Sequence, residues 1–218
     1  MMRAGRERQK EAIRASLVTR SADIARLAGP APTVDGDLSD AAWQTAKPLE
    51  PFLAYVATPP KPVQPTEARV TYDAEGLYVA VRCVEPKRGE MQIAGEKRDD
   101  SVWMGDSVDL FLQAPDQAPV YYHFILNPRN VLWDSRCTDT DDLRFDAAVE
   151  SAARLGDGDW TVELAIPWTE LKMAAPTPGT QLRANLCRQR IPDREQTAWS
   201  QCVAGFVEPE SFGTWTLR

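Results

Sequence analysis

The sequence predicts an all-β protein, a two-sheet antiparallel β-sandwich with an N-terminal helix. Three observations predict it. From Glu67 onward, short runs alternate apolar and polar residues, the two-residue period of strands with differently occupied faces. Gly, Pro, Asn and Asp clusters separate these runs at regular intervals, and 17 prolines against 12 glycines suit a chain with many turns of preset backbone angle. Helical periodicity is scarce inside the body. With 218 residues, 43% of them hydrophobic, the chain can bury one full core. The division expected is a helix and linker over 1–29 and a sandwich over 30–218.

Ile13, Leu17, Ile24 and Leu27 recur at spacings of four, seven and three, which predicts an amphipathic helix running to about Leu27 and ended by Gly29-Pro30. Its stripe is narrow and lacks aromatics, so docking on the body or on another domain is favoured over a membrane surface. Asp35-Gly36 marks a turn, and Ser39-Asp40 starts a helical turn presenting Ala42 and a core Trp43. Prolines 51, 59, 60, 62 and 65 confine any strand near Phe52–Ala57 to a sheet edge. Ala68, Val70 and Tyr72, the turn Asp73–Gly76, and Leu77, Val79, Val81 and Cys83 make a hairpin. A polar loop over 85–100 then delivers the chain to Trp103.

Ser101–Gln113 is the strand with chemistry at its entrance. Val108, Leu110 and Leu112 alternate with Asp109 and Phe111, while Trp103 and Asp106 precede them. Residues 120–127 and 131–135 form a second hairpin, Phe145–Arg154 a strand, and Gly156–Asp159 a turn into Trp160, Val162, Leu164 and Ile166. Pro167 opens a short turn. In QLRANLCRQRI, Leu182, Ala184, Leu186 and Arg188 share one face, and Arg183, Asn185, Cys187 and Gln189 the other. Two short strands around Glu208-Pro209-Glu210 close the chain.

Charge and motifs exclude several functions. Residues 1–28 carry a balance of +4, leaving −11 on the remainder of a chain whose net charge is −7, and such an acidic body repels nucleic-acid phosphates. No apolar run reaches membrane-spanning or signal-peptide length, so the chain as written is expected to be soluble without a membrane span. Four cysteines show no CxxC spacing; Cys83 and Cys187 fit buried strand positions, and a disulfide involving Cys137 or Cys202 stays open. His123 is the single histidine, and neither a G-x-S-x-G elbow, a P-loop nor zinc-hydrolase spacing occurs. Asp106, Asp109 and Glu163 are candidates for a carboxylate pair, but nothing marks one of them for acid catalysis, so no enzyme is expected. Asp139, Asp141 and Asp142, in the acidic loop 137–142, are the candidate oxygen ligands for a structural Ca2+.

A wide indole beside carboxylates is the arrangement that binds sugar rings: the C–H face packs on the aromatic plane while hydroxyls find fixed partners. On this segment alone, the reading in which Trp103 plugs one end of the sandwich is favoured. The order of motifs changes the balance. VDGDLSDAAW (34–43), ARVTYDAEGLYVAVRC (68–83), VWMGDSVDLFLQ (102–113), YYHFILNPRNVLWD (121–134), WTVELAIPWTEL (160–171), LRANLCRQR (182–190), AWS (198–200) and FG (212–213) together resemble the family 9 carbohydrate-binding modules and the wider DOMON-like sandwiches. The resemblance implies a jelly-roll or immunoglobulin-like sandwich that binds an oligo- or polysaccharide without catalysis. It implies a saccharide end unit held between two aromatic rings, with Trp103 matching the first and Phe206 the second. Asp109, Asn185 and Arg188 are the hydroxyl readers it implies, while Ile125 stands where an arginine is expected and Cys187 where an amide is expected. Structural Ca2+, an extracellular or periplasmic setting, and other domains of a longer polypeptide belong to the same implication. Two alternatives remain: an interaction or scaffolding module in which these aromatics are core, and a haem-binding DOMON-type domain with Met104 or His123 as axial ligand.

Overall fold

The alternation read along the chain becomes two facing sheets. In the computed structural model, residues 13, 15–54, 63–138, 140–142, 144–203 and 205–218 are described. In chain order these hold β1 (Ser21–Ile24), the short helix α1 (Ala41–Thr45), β2 (Leu53–Ala54), β3 (Thr66–Tyr72), β4 (Gly76–Val84), β5 (Ser107–Gln113), β6 (Tyr121–Leu126) and β7 (Leu132–Cys137). There follow β8 (Asp141–Asp142), β9 (Glu150–Leu155), β10 (Asp159–Pro167), β11 (Gln181–Arg190), β12 (Glu195–Ala198) and β13 (Gly213–Leu217). One sheet runs β1-β13-β11-β5-β6-β7-β8, with β12 beside β11 and β2 beside β12; the other runs β3-β4-β10-β9. Among the described residues no helix is long and apolar enough to cross a membrane.

Between the sheets lies the core. Val108, Leu110 and Leu112 of β5, Tyr122, Phe124 and Leu126 of β6, and Leu182, Ala184 and Leu186 of β11 face Val79 and Val81 of β4 and Trp160, Val162 and Leu164 of β10. These side chains come from alternate positions, so their neighbours on β5, β6 and β11 must point out of the sandwich. Arg188 stands on the inner face, in register with Val108. It is buried, donating to the carbonyl of Val84 at 2.8 Å and lying 3.4 Å from Glu85. Arg190 clasps the same carboxylate through Nε at 2.7 Å and Nη2 at 2.8 Å, which compensates the buried charge.

Three expectations are corrected. The helix predicted to reach Leu27 gives way to β1, which pairs in parallel with β13 from Ser21↔Thr214 to Ile24↔Leu217. The edge of β13 supplies main-chain partners to an extended segment, and the extended path lets Ile24 enter the core while Leu27 packs by Trp43 in a separate cluster. Residues 1–12 and 14 of that helix lie outside the described residues. The strand near Phe52–Ala57 does lie at a sheet edge as expected: among the described residues β2 pairs with β12 alone, and residues 55–62 lie outside them. The strand expected from Phe145 begins at Glu150. The disulfide left open for Cys137 or Cys202 is absent, all four cysteines being buried free thiols.

The second sheet's outer face is sealed by α1. Trp43 packs on Tyr78 and Ala80, and its Nε1 donates to buried Glu163 at 2.6 Å. The same carboxylate accepts from the Gly36 amide at 2.6 Å and the Asp35 amide at 3.1 Å. Burial pushes the Glu163 carboxyl above its ordinary value of 4.5, against these three donors, which favour the ionised form. Glu163→Ala strands three donors and is expected to cost about 3 kcal/mol in chemical unfolding. A carboxyl raised in the folded state contributes its proton-linked stability in full below its unfolded value and loses it as pH climbs through the folded value. The unfolding free energy of wild type relative to Glu163→Gln should therefore fall from about pH 4 towards neutrality; a pH-independent difference contradicts this assignment.

Candidate functional site

The outer face of the larger sheet carries the chemistry. Register places Asp109 opposite Ile125 and Ile125 opposite Trp133, with Phe111 opposite His123 and His123 opposite Ser135. All six side chains therefore share one face. His123 Nε2 lies 2.9 Å from Asp109 Oδ1, both side chains being buried. The imidazole is stacked on Phe111 at a centroid distance of 4.0 Å and 22°, and meets Trp133 edge-on at 5.2 Å. This floor is close-packed: His123 and Asp109 Oδ1 pair with each other, and the rings stack around them.

Trp103 rises beside it on a short 3-10 turn, Val102–Met104. Val102 is buried with Ile125, Val131 and Trp133, which roots the turn. The Trp103 ring meets Trp133 at 5.6 Å and 76° and remains 45% exposed. Two polar latches fix the backbone beneath it. Gln189 Nε2 donates to the carbonyls of Trp103 at 2.6 Å and Gly105 at 3.0 Å. Asp106 accepts from the amides of Gln92 at 2.8 Å and Ile191 at 3.3 Å. Burial pushes the Asp106 carboxyl above its ordinary value although these amides favour the ionised form. Gly105 has to be glycine, since a Cβ would lie 2.4 Å from the Gln92 carbonyl oxygen.

Phe206 arrives from the other end of the chain, on the segment between β12 and β13. It packs against the cluster of Phe111, Tyr121, Cys137, Cys187, Cys202 and Phe212. Asn185 ties that segment down: Nδ2 donates to the Ser200 carbonyl at 2.9 Å, and Oδ1 accepts from the Ser200 amide at 2.9 Å. Ser200 Oγ in turn donates to the Ser211 carbonyl at 2.7 Å. Burial pushes the Cys187 thiol well up, and hydrogen bonding with Cys202 adds to this, so the thiols here are apolar packing groups. Between these supports lies a cavity of about 310 Å3, walled by Trp103, Phe206 and Val207, floored by Asp109, His123, Ile125 and Trp133, and open beside Asp141. That volume is at the small end of ligand pockets, which begin at about 300 Å3.

Residues 34–218 match the family model described as carbohydrate family 9 binding domain-like. The chain belongs to that family. A family 9 module from Caldicellulosiruptor kristjanssonii solved with glucose superposes with a TM-score of 0.67 at 18% identity, covering 91% of this chain and 96% of that one. The same organism's family 9 module solved with cellotriose gives 0.68 at 18% identity, covering 91% and 94%. Among curated proteins, an endo-1,4-beta-xylanase A of Thermotoga neapolitana is 28% identical over 196 residues, 85% of this chain. The match spans only 17% of that xylanase's length.

Within this family 9 domain, the structure brings Trp103, Asp109 and Phe206 to one cavity and leaves Asn185 and Arg188 out of it. Asn185 lies on the correct face, but its amide is consumed in holding the Phe206 segment. Arg188 lies on the wrong face, between the sheets. Of the calcium candidates, Asp139 lies outside the described residues; Asp141 and Asp142 are successive strand residues, engaged by the Cys137 thiol at 3.1 Å and by Arg144 Nε at 3.1 Å. Among the described residues no group of three or more His, Cys, Asp or Glu side chains is placed to hold a metal ion. Sequence reasoning missed Trp133 and His123 as parts of the floor, and Gln189 as a latch. The signal was available in the register: once Asp109 faces outward, hairpin pairing puts Ile125 and then Trp133 beside it.

Gln189→Ala removes the latch without touching the core. Amide exchange of Met104 and Gly105, whose hydrogen bonds close the Trp103 turn, is expected to quicken about tenfold. The global unfolding midpoint should move by less than about 1 kcal/mol. Unchanged exchange would show that the turn is held elsewhere.

Proposed function

We propose that this family 9 domain is a noncatalytic carbohydrate-binding module, taking one sugar unit between the Trp103 and Phe206 rings with Asp109 accepting from its hydroxyls. One observation carries the proposal: an indole that is 45% exposed and a phenyl ring about a hundred residues further along line the same small cavity. Large aromatics are ordinarily withdrawn from water, and an exposed one is held here by a dedicated set of backbone latches. A flat apolar plate facing a carboxylate suits a ring with a C–H face and hydroxyl edges. The relatives solved with glucose and cellotriose support the same ligand class. The small share of the xylanase that the match covers supports a further reading, that such a module works beside other domains of a longer polypeptide.

The competing readings fit less well. A scaffolding module with buried aromatics does not account for the exposure of Trp103. For haem, Met104 is 65% exposed and His123 Nε2 is committed to Asp109, so neither is poised as an axial ligand. The catalytic candidates are likewise spoken for: Asp106 holds a loop and Glu163 holds Trp43 on the opposite sheet.

Trp103→Ala tests the proposal. Titration calorimetry with cellotriose should show affinity falling at least about tenfold, or about 1.4 kcal/mol. The unfolding midpoint should change by less than about 1 kcal/mol, because the ring is half in solvent. Equal binding by wild type and variant would remove the ring from the site.

A further inference from the structure

The charge pattern of the cavity narrows the ligand, if the sugar-binding reading above is right. We infer that the saccharide taken carries a free amine, a glucosamine-type unit in its ammonium form. No side chain lining the cavity is Lys or Arg, whereas Asp109 and Asp141 both are carboxylates. The pleat makes this a property of the sheet. None of the outward positions of β5, β6 and β7 around the cavity holds a Lys or Arg, Ile125 occupying the centre, and Arg136 lies in register with Tyr122 on the inward-facing row.

A neutral sugar hydroxyl is bound best by a mixture of donors and acceptors, and carboxylates only accept. Asp109 has a partner in His123, and its second oxygen has only a long contact, 3.4 Å, from Ser107 Oγ. Asp141 receives a neutral thiol donor from Cys137. Asp109 is already buried against His123, so the carboxylate that a seated ring would cover is the exposed Asp141, and a neutral ring brings no charge to offset that lost hydration. An ammonium supplies it. The aromatic lining points the same way: the exposed Trp103 ring meets the Trp133 floor edge-on at 76° with centroids 5.6 Å apart, and Phe206 lines the same cavity. Such a lining attracts cations through the ring quadrupole, most strongly when the site is small and partly desolvated. Ser135 adds a buried hydroxyl with no partner on the same face, directly across from His123.

The test is calorimetric titration of the whole chain, at slightly acid pH, with three disaccharides of equal length: β-1,4-linked diglucosamine, its N,N′-diacetyl form, and cellobiose. Diglucosamine is expected to bind at least tenfold more tightly than either neutral sugar. That advantage should shrink as salt is raised, and Asp141→Asn should remove most of it. Trp103→Ala should abolish diglucosamine binding, which separates a seated amine from loose attraction to an acidic protein. Cellobiose binding as tightly as diglucosamine overturns the amine preference and leaves the stacking site intact. Diglucosamine binding undiminished by Trp103→Ala also overturns it. Failure of all three sugars to bind overturns both this inference and the proposed function.

Discussion

The pleat of β5 is the constraint on which the rest of the molecule depends. Val108, Leu110 and Leu112 are held in the core by two packed sheets, so Asp109 and Phe111 have no choice of direction. The register of β5 with β6 and of β6 with β7 then copies that decision across the sheet, collecting His123, Ile125 and Trp133 on one outer surface. A slip of one residue would exchange the core for the site wholesale, and burial of the aliphatic row forbids it. The floor of the cavity is thus specified by the same contacts that stabilise the fold.

The walls are specified differently. Trp103 and Phe206 sit on irregular segments, and each is steadied by side chains borrowed from β11: Gln189 for the first and Asn185 for the second. One strand therefore sets the distance between two rings that the chain keeps far apart in sequence. Arg188, between those two residues on β11, faces inward and clasps Glu85 with Arg190. Alternation gives the strand two jobs, one polar row for the walls and one inner row for the sandwich.

Much of this was legible before the structure. The hairpins, the β5 strand and the two-sheet class follow from period and turn chemistry, and the motif order identified the family. The N-terminal misreading has a simple cause: spacings of four, seven and three fit a helical stripe, yet they fit equally a chain that drops Ile24 into a core and Leu27 into another cluster. Nothing local reports the open edge of β13 that decides between them. Arg188 was already grouped with Leu186 by parity, and only the family resemblance drew it towards the ligand. Asn185 was placed on the correct face, but the return of Ser200 over its amide is a long-range contact that no periodicity signals. The pairing of Trp103 with Trp133, similarly, depends on how a loop folds back onto a sheet.

The central claim is that one outer surface, and no other aromatic region of the molecule, meets the ligand. Seven tryptophans make it measurable. In a proton–nitrogen spectrum of the indole groups titrated with cellotriose, the account predicts that Trp103 and Trp133 shift together while Trp43, Trp160, Trp168, Trp199 and Trp215 stay in place. Shifts confined to those five, or none at any indole as the sugar saturates, would contradict it.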